Sequence, residues 1–162
     1  MTKLLILKTF LFFLVSIFFC YAQYWQQKID YKITVDLDDS NSTYKGTQKI
    51  VYKNNSPETL KKIYFHLYFN AFRPESDMSI RLKNNSDKNV RFSDNFNENG
   101  FSKLSKSAQG YLKVFNLKQN GSSVKTLKDD TILEVFLNTP IKSGQKTLFE
   151  LSFEGKVPDV IR

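Results

Sequence analysis

The chain has 162 residues, with 24 Lys+Arg against 16 Asp+Glu and a formal charge of +8. That length suits one domain rather than a multi-domain assembly. A 41% hydrophobic and 15% aromatic content excludes a disordered chain, which lacks the apolar groups to offset ordering entropy.

The first element is a leader. Lys3 and Lys8 supply positive charge, Phe10 to Tyr21 is apolar apart from Ser16, and Cys20-Tyr21-Ala22 places small residues before Gln23. This is the order of a secretory signal, and the run is shorter than the roughly 20 residues a spanning helix needs. Phe18-Phe19 is too bulky for a lipoprotein signal at Cys20. Residues 1–22 are therefore expected to form a signal helix and be cleaved, leaving an exported domain over 23–162. The location is then periplasm, cell surface or extracellular space, with no membrane contact after cleavage. Without Lys3 and Lys8 the remainder carries 22 basic and 16 acidic side chains, or +6, and no cysteine. Disulfides, thiolate nucleophiles and Cys-ligated zinc drop out together.

Alternation dominates the chain after the leader. Ile29, Tyr31, Ile33, Val35 and Leu37 share one face and Asp30, Lys32, Thr34 and Asp36 the other, which predicts a half-buried strand over 29–37. Asp38-Asp39-Ser40-Asn41 supplies turn chemistry. A second strand is predicted at about 43–53, ended by Asn54-Asn55-Ser56-Pro57, since Pro57 has no N–H to donate. Ile63 to Phe69 is bulky on both faces and predicts a central strand covered on both sides. Residues 73–110 are polar, with nine plainly apolar residues in 38, and read as an excursion that is either pinned by its aromatics or mobile. Strands resume at Tyr111–Leu117, with an Asn-Gly hairpin signal at Gln119-Asn120-Gly121-Ser122, and at Thr131–Leu137. Pro140 and Gly144 are assigned to a turn, and Leu148–Phe153 closes the series. No helical periodicity stands out after the leader, so the fold class is all-β, an antiparallel sheet or sandwich.

The chemistry is mostly exclusion. A zinc site usually takes three protein ligands; His66 is the single histidine and His-Glu-x-x-His is absent. No Gly-x-Ser-x-Gly elbow exists for a serine triad. His66, mid-strand between Tyr64 and Tyr68, reads as a hydrogen-bonded structural residue. Asp38-Asp39 and Asp129-Asp130 read as solvated turn formers, since glycosidase chemistry needs carboxyls facing across a cleft. The lysines alternate along strands, as solvated edges do, so no nucleic-acid partner is assigned. The sequons at Asn41, Asn54, Asn84 and Asn120 read as accidental in an Asn-, Lys- and Phe-rich sequence of bacterial character. No catalytic, cofactor-binding or metal-ligating residue is assigned.

Several segments in order carry a resemblance: Asp30-Tyr31-Lys32-Ile33, Tyr44 to Tyr52, Asn54-Asn55-Ser56-Pro57, Tyr64 to Phe72, Pro140 to Lys146 and Leu151 to Pro158. Together they resemble the start of exported bacterial zinc aminopeptidases of the gluzincin, aminopeptidase N-like class, over about 24–158 except for 73–110. The resemblance implies a saddle-like antiparallel domain packed against a thermolysin-like catalytic domain, its usual partner in one polypeptide. It also implies zinc and a peptide substrate for the full enzyme. The zinc ligands and general base of that class come later in the chain, so no catalytic residue transfers to a position here. Val157 to Arg162 ends without a closing element, and the chain reads as a truncated N-terminal portion, inactive alone. The competing class is a free-standing secreted β-sandwich that binds glycan or another surface ligand; Trp25, Tyr31 and Tyr64 would be its stacking platform, where burial in the core or an interface is the ordinary reading of such rings.

Overall fold

A computed structural model describes residues 25–84 and 94–159. The expected signal helix and its cleavage site, like Val160–Arg162, lie outside the described residues. Among the described residues eight strands form two antiparallel sheets with no closed barrel. They are β1 (Lys28–Asp38), β2 (Thr43–Lys53), β3 (Leu60–His66), β4 (Tyr111–Gln119), β5 (Ser122–Ser123), β6 (Lys125–Asp129), β7 (Ile132–Ile141) and β8 (Lys146–Lys156). One sheet runs β1-β2-β8-β4-β5 and the other β3-β7-β6.

Their apolar rows meet in one core. Ile50 of β2, Leu117 of β4, and Phe149 and Leu151 of β8 face Leu133, Val135 and Ile141 of β7, with Leu67 at one end. Period-2 patterning puts these residues on a common face of each strand. Phe149 and Val135 are fully buried.

The first hairpin follows its sequence closely. Lys28 pairs with Lys53 and Asp38 with Thr43, without a break between. The loop closes because Asp38 accepts hydrogen bonds from Ser40 and Asn41, while Ser42 takes φ 52°. Those bonds, Asn41 first, hold the Asp38 carboxyl below the usual range. The Asn-Gly signal also holds. Asn120 and Gly121 take φ 49° and 84°, and Gln119 pairs with Ser122.

Four expectations need correction. The 29–37 strand is not half-buried: all eleven residues of β1 are exposed. The three-stranded sheet does not reach over it, so its apolar row has nothing to pack on. The 63–69 stretch is not a doubly covered central strand. β3 is an edge strand that ends at His66, and Tyr68–Phe72 forms a 3-10 turn. Asn70 in that turn is buried and imitates a strand partner. Its amide donates to the Leu112 carbonyl and accepts from the Leu112 N–H.

Helices are present within 73–110: α1 (Asp77–Asn84) and α2 (Asp94–Asn99). Ser76 caps α1 by accepting from the Ser79 N–H at 3.1 Å. Gly100, at φ 55°, ends α2. The described part of the excursion is ordered and pinned by its aromatics, Phe101 being fully buried with Leu82 against Phe72 and Phe96. Finally, Pro140 lies in β7 rather than a turn. Three residues of β3 there (60–62) span six of β7 (136–141), so the missing N–H breaks no ladder bond. Gln119 holds this stretch by accepting from the Thr139 N–H and donating to its carbonyl.

Candidate functional site: an uncovered aromatic groove beside β1

The cross-strand register fixes which β1 residues face the core side. Tyr31 lies beside Ile50, Ile33 beside Gln48 and Leu37 beside Tyr44, all on the inner face of the larger sheet. Ile29, Tyr31, Ile33, Val35 and Leu37 remain between 38% and 79% exposed there. Beside this row runs a groove of about 410 Å³. Tyr31 and Ile33 form one wall; Tyr64, Phe65, His66, Leu67 and Tyr68 form the other. Tyr44, Gln48, Leu112, Val114, Leu151 and Phe153 make the floor. Among the described residues no acid, lysine or arginine lines it.

The floor depends on a repeated aromatic-x-glycine pattern, Tyr44-Lys45-Gly46 on β2 and Phe153-Glu154-Gly155 on β8. In the antiparallel register Gly46 faces Phe153 and Tyr44 faces Gly155. Each ring lies over the opposing glycine. A Cβ at Gly155 would sit 2.3 Å from the Tyr44 ring, and one at Gly46 would sit 2.7 Å from Phe153 and 2.1 Å from the Thr34 carbonyl oxygen. The two rings are 6.1 Å apart, and Tyr44 meets Phe69 edge-on at the same separation. Burial, and secondarily the nearby Tyr111, pushes the Tyr44 phenol above its ordinary value. This pattern was legible in the sequence as two aromatic-x-glycine triplets, but their pairing required the β2–β8 register.

Of the three aromatics that the competing binding-module reading offers as a stacking platform, the structure brings Tyr31 and Tyr64 to one groove, and Trp25 is not among its lining. His66 differs from the hydrogen-bonded mid-strand residue expected. It ends β3, is exposed, and stacks on Tyr68 with ring centres 5.3 Å apart and planes 10° apart. The acidic pairs sit in turns, yet Asp130 is more than a solvated turn former. It meets Arg73 at 3.5 Å and accepts from the Asp77 N–H, tying the β6–β7 turn to the start of α1. Asn54, in one of the sequons read as accidental, is fully buried.

Among the described residues no three His, Cys, Asp or Glu side chains gather as a metal-holding group. The zinc that the sequence resemblance implies for a full enzyme therefore fits no residue set here, and no step is derived through it. What the groove offers is apolar area, phenol hydroxyls, the Gln48 amide and the His66 imidazole.

No family model and no curated protein matches the chain. Among solved structures it is similar to a two-domain M1 zinc metallopeptidase mutant bound to L-tryptophan. That match has 15% identity and TM-score 0.47, covering 81% of this chain and 21% of that one. It is similar also to the M1 zinc metallopeptidase from Deinococcus radiodurans, at 14% identity and TM-score 0.47, covering 84% of this chain and 22% of that one. A mutant of an M1 zinc metallopeptidase from the same organism, bound to a Tyr-Ser-Ala substrate, matches at 14% identity and TM-score 0.47 over 79% and 20%. The chain spans about a fifth of the length of the solved structures it matches, and no residue role passes across at such identity.

Proposed function

We propose that this chain is a non-catalytic N-terminal β domain of an exported, bacterial zinc-dependent metalloaminopeptidase. Its role is to pack on a catalytic domain and wall one side of the substrate cleft. One observation carries the reading: an apolar row five residues long is built into a regular strand and left without a covering layer. Contiguous exposed apolar surface on this scale marks a surface that meets something else. The uncharged groove beside it extends that surface. The ordered run of motifs from Asp30 to Pro158 says what class of protein the covering layer belongs to. The saddle-like curvature, the export inferred from residues 1–22 and the peptide substrate belong to the same proposal.

A wall of this kind acts by excluding water, while a separate domain polarises the scissile carbonyl through its metal. The test has two parts. The coding sequence beyond the Arg162 codon is expected to contain His-Glu-x-x-His followed by a downstream Glu. The protein carrying that segment is expected to bind this domain, and Ile33→Asp in β1 to abolish the association while leaving the domain folded. A stop codon with no continuation in any frame, or association indifferent to Ile33→Asp, refutes the reading.

A further inference from the structure

A sheet edge exposes unpaired main-chain groups, and this fold blunts all its described edges but one. β3 breaks register between Leu60 and Lys62. β6 is five residues long and carries Lys125 and Lys128. β5 is two residues long, and beyond it β4 is guarded twice. Asn70 takes up the N–H and carbonyl of Leu112, and the register shifts between Phe115 and Lys118, with Asn116 at φ 51°. β1 has none of these devices. It is eleven residues long, exposed throughout, and in unbroken register with β2. Its outer face carries Lys28, Asp30, Lys32, Asp36 and Asp38, a mixture of signs rather than a run of lysines. Asp36 has Lys45 at 3.8 Å, and Asp38 accepts from Ser40 and Asn41. Among the described residues Asp30 and Lys32 have no oppositely charged partner.

We propose that β1 pairs antiparallel with β1 of a second copy about a two-fold axis at Tyr31, so that Asp30 of each chain faces Lys32 of the other. An antiparallel strand pair of this kind is isologous and closes on itself, as most soluble homo-oligomers do. Period-2 alternation limits the register, because a slip of one residue would set one chain's apolar row opposite the other's charged row. Within the registers left, like charges decide. If Asp30 faces Thr34, then Lys32 faces Lys32; if it faces Asp30, Asp36 or Asp38, two acids oppose, which destabilises a sheet. Setting Lys32 against Asp38 instead leaves Asp30 unpaired beside the hairpin loop and draws on a carboxylate already held. Only with Asp30 facing Lys32 are both unpartnered charges neutralised, twice over. Ile29 then faces Ile33 and the two Tyr31 rings meet on the axis, within an overlap running from Lys28 to Thr34. Such β-branched and aromatic pairs stabilise sheets. Any extended segment satisfies the main chain, but the charges ask for Asp-x-Lys read antiparallel, which is the sequence of β1 itself. The two five-stranded sheets become one, and the two grooves, each lined by Tyr31, adjoin across the axis. The pairing uses the strand's edge and does not depend on what covers its inner face.

A single strand pair is a small interface, so the dimer is expected to be of micromolar strength. Sedimentation of the full chain over about 1–100 µM reads its dissociation constant. Asp30→Lys and Lys32→Asp each set like charges opposite one another twice, and each is expected to weaken the dimer about tenfold or more. In an equimolar mixture of these two variants every opposed pair is again Asp with Lys. That mixture is expected to dimerise as tightly as wild type, and so is the double variant carrying both changes. Association through any other surface is common to all these proteins and does not follow the charges at 30 and 32. Asp30→Asn and Lys32→Gln are milder and are expected to weaken the dimer severalfold, so a misfolded reversal leaves the test intact. A monomeric wild type overturns the proposal. So does a dimer that Asp30→Lys leaves unchanged or tightens, as the other registers require, or a mixture no tighter than its components.

Discussion

Asn54 shows how much one amide can hold. Its Oδ1 accepts from Gln27 Nε2, the Ser56 N–H and the Ser56 hydroxyl, and its Nδ2 donates to the carbonyls of Glu58 and Ile141. Its backbone pairs with Gln145 and Gly144. One buried side chain thus joins the entry to β1, the β2–β3 link and the β7–β8 hairpin. Removing it strands several buried polar groups, each costing about 1–3 kcal/mol. Asn54→Ala is expected to lower unfolding free energy by about 3 kcal/mol in denaturant titration; a loss below about 1 kcal/mol would show that water replaces the hub. The tyrosines make a second prediction. Burial raises the phenols of Tyr44 and Tyr52 above their ordinary value, so the folded state favours the neutral form. The stability this contributes is present in full below the ordinary phenol pKa and lost as pH rises through the raised one. Phenolate absorbance is expected to show two rings titrating above the ordinary phenol range in the folded protein. Ionisation of every tyrosine together in the ordinary range would contradict it.

At the scale of elements, α1 rests on Ser76. The hydroxyl caps the helix through the Ser79 N–H, and the Ser79 hydroxyl in turn accepts from the Phe101 N–H at 2.8 Å. Ser76→Ala is expected to cost about 1 kcal/mol and to speed proteolysis within 73–110 while leaving cleavage elsewhere unchanged; equal acceleration across the strands would show that the excursion is not a separate unit. The signs of these helices were in the sequence, as Ser76-Asp77 before Met78 and Leu82, and as Asn99-Gly100 after Phe96. They were short and polar, and the eye follows apolar periodicity first. The strands were legible for the opposite reason, since alternation runs along them, most strictly in β1. What alternation does not reveal is which strand stands at an edge. Ile63 to Phe69 looked central because both faces carry rings, yet Tyr64 is 59% exposed and meets Glu134 beside Lys62 on an open face. The groove was invisible for the same reason, because it is made by the absence of a strand over β1. Amide surrogates such as Asn70 and Gln119 escape pattern reading as well, since their partners lie 42 and 20 positions away.

For the whole molecule, the uncovered row on β1 has a direct consequence in solution. Its strand edge is long, regular and free of proline or bulge, the kind of edge that invites another chain. The chain without its covering domain is expected to self-associate in sedimentation experiments, and Ile33→Asp to return it to monomer; a monomeric wild type at high concentration would remove the case for a missing cover. The order of strands also sets a timetable. The β1–β2 hairpin closes locally, but the other edge of β2 pairs with β8, where Thr43 meets Lys156, 113 positions later. Pairings so distant in sequence make folding slow. During synthesis the hairpin waits, half its partners unmade, until nearly the entire described chain has emerged. A sheet whose middle strand is made last stays open to water and to other chains for most of its synthesis.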